Sequence, residues 1–488
     1  MDKNSLQSKT IIGSFWSFIN LTSNYGVQFG VQIVLARILS PNDFGLIGIL
    51  SVFIALSQSI VDSGFSNALI REVNTTNVDY STVFYFNLSM SVVLYGLLFL
   101  VAPFIGNYFN EPMIVHLFRV ISLVLIINSF GLIQRAIMIK NINFKSQAKI
   151  SIFSSLTSGI IAIIAAFLGM GIWSLVIQSI LLQFLQALLM TLTNKWVPDR
   201  TFSKESFKRL FGFSSKLLAS GLLFSFCNNM YNIVIGKIYS TNALGYYTNA
   251  QKLRDIACQL FSSAVQKVSY PALSSIQNDN ERLRLGYIKL IKMAAFINFP
   301  LMLGLAVVAE PVILITLGSK WTNSILMFQI LCLSGALFPQ HVINLNILQV
   351  RGRSDLFLKL EIVKVFLTFL AIVIVIILNL DLITLLWIIF IKSIIEFFVN
   401  SYYSEKMMDY SSIQQIVDVL PYLILTVVIL GLVNIIFGDL NNLYIRLILQ
   451  VISAVSLYIL GAILLKFEEV KIIKDIYYLL SKKLINEK

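Results

Sequence analysis

Four amides, Asn20, Asn24, Gln28 and Gln32, recur at every fourth position, a spacing that lines them along one slowly rotating helix face. Amides so placed either glue one helix to another, at about 0.6 kcal/mol per bond on average, or line a hydrated cavity that binds a polar ligand. A second amide group, Asn228, Asn229 and Asn232, lies 200 residues further on, with Gln28 and Gln32 falling on Asn228 and Asn232. The densest charge group inside an apolar stretch is Lys252, Arg254 and Asp255, near mid-bilayer at about 1.5 Å of rise per residue. Charges at that depth are costly and are functional candidates by default. Lys252 and Asp255, three apart, are expected to neutralise one another on one face. That leaves Arg254, with Lys252 beside it, to offer a planar bidentate fork to an anionic lipid headgroup such as a pyrophosphate. Asp62, one turn after Gln58, is a proton or cation site or the counter-ion of Arg254. Asp62 and Asp255 are thus the candidate ion-coupling carboxylates, and a purely structural ion pair is the competing reading for each.

Other groups point less clearly to chemistry. Lys392 and Glu396, four apart, read equally as a self-neutralising pair or a site, while Glu361 and Lys364 lie close enough to a membrane face to snorkel. His116, Arg119 and Glu310 read as interface anchors. Cys227, Cys258 and Cys332 each sit inside an apolar run, and His116 and His341 lie far apart, so neither a disulfide framework nor a metal site is expected. No cofactor is expected either. P-loop, GxSxG, HExxH and CxxC motifs are missing from the sequence, which leaves nucleotide hydrolysis and common hydrolytic chemistry without support. Asp279 and Glu281 sit on a basic loop too short for a nucleotide-sugar domain.

The elements that must position these residues are membrane helices. The chain has 488 residues, 57% hydrophobic and 12% charged, with a mean hydropathy of +0.82, whereas soluble domains carry about 25% charged residues. Too few polar groups remain to hydrate the surface of soluble domains. Stretches of about 20 apolar residues, enough to cross a bilayer core of roughly 30 Å, occur fourteen times: 11–36, 43–66, 81–103, 114–139, 147–168, 171–194, 211–236, 243–268, 287–310, 322–349, 356–379, 382–404, 413–437 and 442–465. The first is expected to be retained, because no small-residue cleavage site follows it. The net charge of +13 is spread over many short loops, with no stripe or tail to grip nucleic acid. With the N-terminus inside, Lys and Arg gather in alternate loops and in the tail from Lys466 to Lys488. Only Arg37, Lys237, Lys320 and Arg446 fall outside. This is the asymmetry expected of cytoplasmic loops, so both termini are expected in the cytoplasm.

An internal repeat ties the two amide groups together. Residues 35–48 (LARILSPNDFGLIG) match residues 235–248 (IGKIYSTNALGYYT), with Ile38/Ile238, Ser40/Ser240, Asn42/Asn242 and Gly45/Gly245 identical. Both copies follow an odd-numbered span and six spans separate them, so two six-helix halves share one orientation. Parallel repeats of this kind suit a transporter that rocks its halves around a central site.

LARILSPNDFGLIGI (35–49), DSGFSNALI (62–70), TVFYFN (82–87), APFIGNYFNEP (102–112), GLIQRAIMIKNINF (131–144), GIWSLVIQ (171–178), LGYYTNAQKL (244–253) and YPALSSIQND (270–279) resemble Wzx-type polysaccharide exporters. These belong to the multidrug/oligosaccharidyl-lipid/polysaccharide exporter superfamily, in the branch of the colanic acid and teichuronic acid exporters. The resemblance covers about residues 10–400 and fades toward the C-terminus. It implies an all-α polytopic membrane protein of about fourteen helices: a lobe at 1–197, a second at 198–404, and two further helices with a basic cytoplasmic tail at 405–488. It also implies movement of a polyprenyl-pyrophosphate-linked oligosaccharide from the cytoplasmic to the outer leaflet by alternating access, coupled to protons or sodium. Lipid II flippases of the superfamily place cations on the first helix. Here that helix holds only amides before Arg37, a departure from the lipid II branch.

The expected protein is therefore a non-enzymatic flippase in a bacterial or archaeal cytoplasmic membrane. Its partners would be the lipid-linked oligosaccharide, membrane lipids, and a polysaccharide polymerase or ligase. Asn20, Asn24, Gln28, Gln32, Asn228, Asn229 and Asn232 would meet sugar hydroxyls, Arg254 and Lys252 the pyrophosphate. Two alternatives stand beside it: a drug or metabolite antiporter of the same superfamily, for which a cation-selective member should have an acidic cavity, and a membrane-embedded polymerase or glycosyltransferase, for which the loops are short.

Overall fold

The computed structural model describes residues 3–72, 74–472 and 474, and among them the regular structure is helical throughout. Two compact units divide the chain, Met1–Asn249 and Ala250–Lys488. The first holds α1 (Lys3–Ile38), α2 (Pro41–Asp62), α3 (Phe65–Arg71), α4 (Asn77–Phe109), α5 (Met113–Ile121), α6 (Leu123–Lys140), α7 (Phe144–Phe167), α8 (Trp173–Asn194), α9 (Lys204–Ile238) and the first turns of α10 (Thr241–Ser275). The second continues α10 and adds α11 (Asn280–Val307), α12 (Ala309–Thr316), α13 (Ser324–Gly335), α14 (Phe338–Val350), α15 (Ser354–Ile377), α16 (Leu382–Met408), α17 (Ser412–Phe437) and α18 (Leu443–Leu464).

Local sequence sets the helix ends. Ser40 and Asp43 cap α2 reciprocally with Pro41 at the first helical position, and Thr76 with Asp79 does the same for α4, satisfying amide donors that have no partner inside the helix. The DSGF run breaks α2 from α3: Ser63 and Gly64 take left-handed φ values of 46° and 72°, the second at no steric cost because glycine lacks Cβ. One expected span therefore becomes two helices that meet at a corner.

Small residues set the packing of the first unit. α7 turns Ser154, Ser155, Ser158, Ala162, Ala165 and Ala166 inward, and a Cβ on Gly159 would lie 2.3 Å from a Val31 methyl of α1. Without water in the bilayer to drive apolar collapse, close backbone approach of this kind supplies much of the association. The α8–α9 connection is strapped to the start of α4. Trp196 Nε1 donates to Asn77 Oδ1, Asp199 N to Ser81 Oγ and Ser203 N to Thr82 Oγ1, while Arg209 pairs with the buried Asp79 at 2.5 Å. Phe65, Phe86, Phe207 and Phe211 cluster above that strap, so α9 is gathered onto α2–α4.

The second unit is built around buried hydrogen bonds as well as apolar contacts. Asn344 accepts from Tyr287 and Ser404 and donates to Gln340 O at 2.9 Å and Gln415 Oε1 at 3.3 Å. Asn298, two residues before Pro300 in α11, donates to Gly335 O and Ala336 O at 3.1 and 2.8 Å. Phe296, Tyr422 and Phe467 pack edge to face, and Tyr458 of α18 packs tilted against Phe296.

Eleven helices or helix pairs are long and apolar enough to cross a membrane, and each of the fourteen expected stretches falls on a helix or a helix pair. The chain is an all-α polytopic membrane protein. α1, α9 and α10 are not among the eleven. They are 36, 35 and 35 residues long and the least apolar of the long helices. α4, α15, α17 and α18 instead expose dense apolar faces, from Leu100 and Phe104 to Ile435 and Ile452, which only a hydrocarbon solvent makes favourable.

Candidate functional site

The amide face of α1 divides into two parts. Asn24 donates to Asn20 Oδ1 at 2.8 Å and Ser151 Oγ at 2.5 Å, and accepts from Ser155 Oγ at 2.7 Å. Asn24 thus holds α1 to α7, with Asn20 bonded to it on the same helix. Gln32, further along, donates to Asn249 Oδ1 at 2.7 Å, and fully buried Asn249 in turn donates to Gly245 O at 3.2 Å, tying α1 to the first turns of α10. Gln28 lies between these attachments and is exposed.

The second amide group repeats that pattern. Asn228 is exposed like Gln28, and Asn232 is buried as Gln32 is half-buried, so the 200-residue offset holds in environment as well as in sequence. Asn229 donates back to Ser225 O of its own helix at 2.8 Å. An amide facing hydrocarbon would lose its hydrogen bonds at several kcal/mol, so water is the favourable surrounding for the exposed side chains of Gln28 and Asn228. The neighbouring exposed positions agree. Among the described side chains, the exposed residues of α1 are Thr22, Gly26, Gln28, Gly30 and Arg37, and those of α10 are Asn242, Lys252, Gln259 and Ser275.

The two copies of the repeat meet each other. A Cβ on Gly45 would fall 1.8 Å from Thr241 O, and a Cβ on Gly245 would fall 1.8 Å from Pro41 O. Each glycine is thus the site where the other copy's backbone crosses, and any side chain there would collide with a carbonyl. One turn on, Gly48 opposes its counterpart Thr248 in the same way at 3.0 Å. Ser240 caps α10 through Ala243 N at 3.0 Å, as Ser40 caps α2, and Thr241 Oγ1 donates to Asn42 Oδ1 and to Glu111 Oε1. α2 and α10 therefore begin at one crossing point related by approximate two-fold symmetry.

In the charge group Asp255 pairs with its neighbour Arg254, Nε to Oδ1 at 2.8 Å, with Arg254 17% and Asp255 36% exposed. The Cδ of Arg254 lies beside Gly335 of α13. Lys252 is the exposed cation of the group. Asp62 accepts from Ser66 across the α2–α3 corner and interacts electrostatically with Arg135 of α6. Glu361 pairs with Lys364 at 2.8 Å, and Lys392 with Glu396 at 3.1 Å, with all four side chains 15–21% exposed. Lys392 also donates to buried Thr368 at 3.0 Å.

Asn249, Ser151, Ser155 and Thr241 were missed by sequence reasoning. Ser151 and Ser155 recur at the same four-residue spacing as the amides they meet, a visible signal, whereas Asn249 is identified only by the rotation of α10. Lys3 and Lys9, assigned inside by charge, have no described side chains, and the tail beyond residue 474 lies outside the described residues.

Comparison with known proteins follows this geometry. A family described as polysaccharide biosynthesis protein matches residues 34–326. The lipopolysaccharide biosynthesis protein WzxC of Escherichia coli (strain K12) is 28% identical over 376 residues, 76% of each chain. The teichuronic acid biosynthesis protein TuaB of Bacillus subtilis (strain 168) is 27% identical over 72% of this chain and 73% of its own. Among solved structures, the lipid II flippase MurJ in an inward closed conformation superposes with a TM-score of 0.74 at 18% identity, covering 93% of this chain and 99% of that one. An inward-facing MATE multidrug transporter gives 0.62 at 17% identity, over 80% and 94%. At these identities the structural likeness concerns the fold.

Proposed function

The chain belongs to the polysaccharide biosynthesis protein family, and from that premise we propose that it is a flippase for a polyprenyl-pyrophosphate-linked oligosaccharide repeat unit, moving it from the cytoplasmic to the outer leaflet for cell-surface polysaccharide synthesis. The observation that carries the reading is the repeat crossing on itself at Gly45 and Gly245. Two halves in parallel orientation that touch backbone to backbone at one end have a pivot there, which is what alternating access requires. Under the proposed topology, with fourteen crossings and both termini cytoplasmic, that contact shuts the outer end.

The water-facing amides Gln28 and Asn228 would meet sugar hydroxyls, with Lys252 and the half-buried Arg254 taking the pyrophosphate. Asn24 is bonded to Ser151 and Ser155 of α7 and to Asn20 on its own helix, so this pair would position α1. Asp62, beside Arg135, and Asp255, beside Arg254, would carry the coupling to protons or sodium. The lobes would be 1–197 and 198–404, with 405–488 attached to the second. The membrane would be the plasma membrane, and polymerase or ligase partners would act on the delivered unit. The protein would transport and catalyse no covalent step.

The test is an inventory of polyprenyl-linked sugars in cells lacking the protein, with leaflet scored by an impermeant reagent. Completed single repeat units held on the cytoplasmic leaflet are expected. Units that reach the outer leaflet with only polymer length changed would transfer the role to a polymerase, and an unchanged inventory would overturn the flippase reading.

A further inference from the structure

A cavity of about 590 Å³ lies in the second unit, where the ends of α11 and α17 and the starts of α12, α13, α16 and α18 come together. Its volume is in the range of small-molecule sites. Aliphatic side chains such as Leu326 and Ile330 form most of the wall, Trp387 stands at the side, and Glu310, Arg446, Gln329 and Asn434 bring polar groups to one end. Because helix ends form the rim, the polar end sits at the depth of the membrane interface, where tryptophan is favoured.

The two charges of the cavity form an ion pair along one edge of the guanidinium. Arg446 Nη1 bonds Glu310 Oε2 at 2.9 Å, with Arg446 13% and Glu310 46% exposed. Arg446 Nε, on the other edge of the guanidinium, is buried and meets no acceptor among the described residues. Arg446 also stands in the first turns of α18, where the helix end disfavours a cation and favours an anion. Glu310, in the first turn of α12, is stabilised as a carboxylate by its own helix end and remains open to a donor. The cavity thus offers a guanidinium edge in need of an acceptor beside a half-exposed carboxylate, above an apolar wall.

We propose that this cavity binds a phospholipid whose headgroup carries both a phosphate and a primary ammonium, the phosphate on the Nε edge of Arg446 and the ammonium on Glu310, with an acyl chain along Leu326 and Ile330. Charge complementarity selects this class. A purely anionic headgroup would bring its phosphate against Glu310 without compensation, and a choline headgroup has no N–H to donate to the carboxylate. The proposal does not depend on the flippase reading, because it needs only that these helix ends lie at a membrane interface.

Native mass spectrometry of the full-length protein, in micelles doped equally with phosphatidylethanolamine, phosphatidylcholine, phosphatidylglycerol and a neutral glucosyl diacylglycerol, tests it. A one-to-one phosphatidylethanolamine adduct is expected to survive about tenfold better than the others, the worth of one charge-assisted hydrogen bond. Glu310→Gln should lower it to the phosphatidylcholine level and Arg446→Gln should remove it. Equal retention of all four lipids, a preference for phosphatidylglycerol, or a preference that survives Glu310→Gln would overturn the proposal. A preference for the glycolipid would overturn it in favour of a sugar site. The selectivity of the unsubstituted protein decides the matter even if a variant fails to fold.

Discussion

α1 and α18 are both long helices of one membrane protein, yet they show opposite surfaces. Along α18 the exposed positions are almost all large and apolar, among them Ile448, Ile452, Val455 and Leu464, the surface a hydrocarbon solvent demands. Along α1 the exposed described positions are threonine, glycine, glutamine and arginine. α10 follows α1, and α9 does so apart from Ala219, Phe226 and Ile238. The difference shows that the described exposed positions of α1 and α10 are polar or small where those of α18 are apolar, and that exposure alone says nothing about lipid until the chemistry of the exposed side chain is read with it.

The largest expected effect breaks the crossing that the polar helices share. Gly245→Leu places a side chain against Pro41 O and should abolish export, whereas Gly431→Leu on lipid-facing α17, which has open space around it, should leave export intact. Polymer yield at equal membrane abundance measures both. The next effect reverses the solvents of the two regions. Val455→Lys puts a charge into lipid midway along α18 and should cost about 3 kcal/mol of insertion, on the scale for a helix centre, so membrane abundance should fall. Gln28→Lys should insert normally. Smaller again is Gln32→Ala, which leaves buried Asn249 without the donor it accepts from and should destabilise the protein by about 1–3 kcal/mol, read as a lowered melting temperature in detergent. Ser155→Ala removes one bond between α7 and Asn24 and should cost only about 0.6 kcal/mol.

Much of this contrast is visible in the sequence for a physical reason. Period-four amides and a 200-residue offset are properties of residue type and spacing, and they carry through to Gln28 and Asn228 as exposed partners. The Ser40 and Ser240 caps and the Gly45/Gly245 identity likewise mark the place where the copies cross, because only glycine admits so close an approach. Helix rotation and long side-chain torsions are not encoded in spacing. Arg254 pairs with its adjacent residue Asp255, a contact that the three- and four-residue spacing rules do not single out. Nor does spacing reveal that Asn24 is consumed by serines of α7 while Gln28, one turn along, is open. The approach of Arg135 in α6 to Asp62 likewise depends on how the helices pack and not on spacing along either one.

The most direct test of water solvation along α1 and α9 is side-specific labelling of single cysteines, with Cys227, Cys258 and Cys332 replaced by serine. Gln28→Cys and Asn228→Cys should react with an impermeant maleimide in inside-out vesicles and stay silent from the outer side, while Val455→Cys should react from neither. Silence of both amide positions from the cytoplasmic side, or equal reaction from the outer side, would contradict the account of a water-filled cavity closed outside by the Gly45–Gly245 crossing.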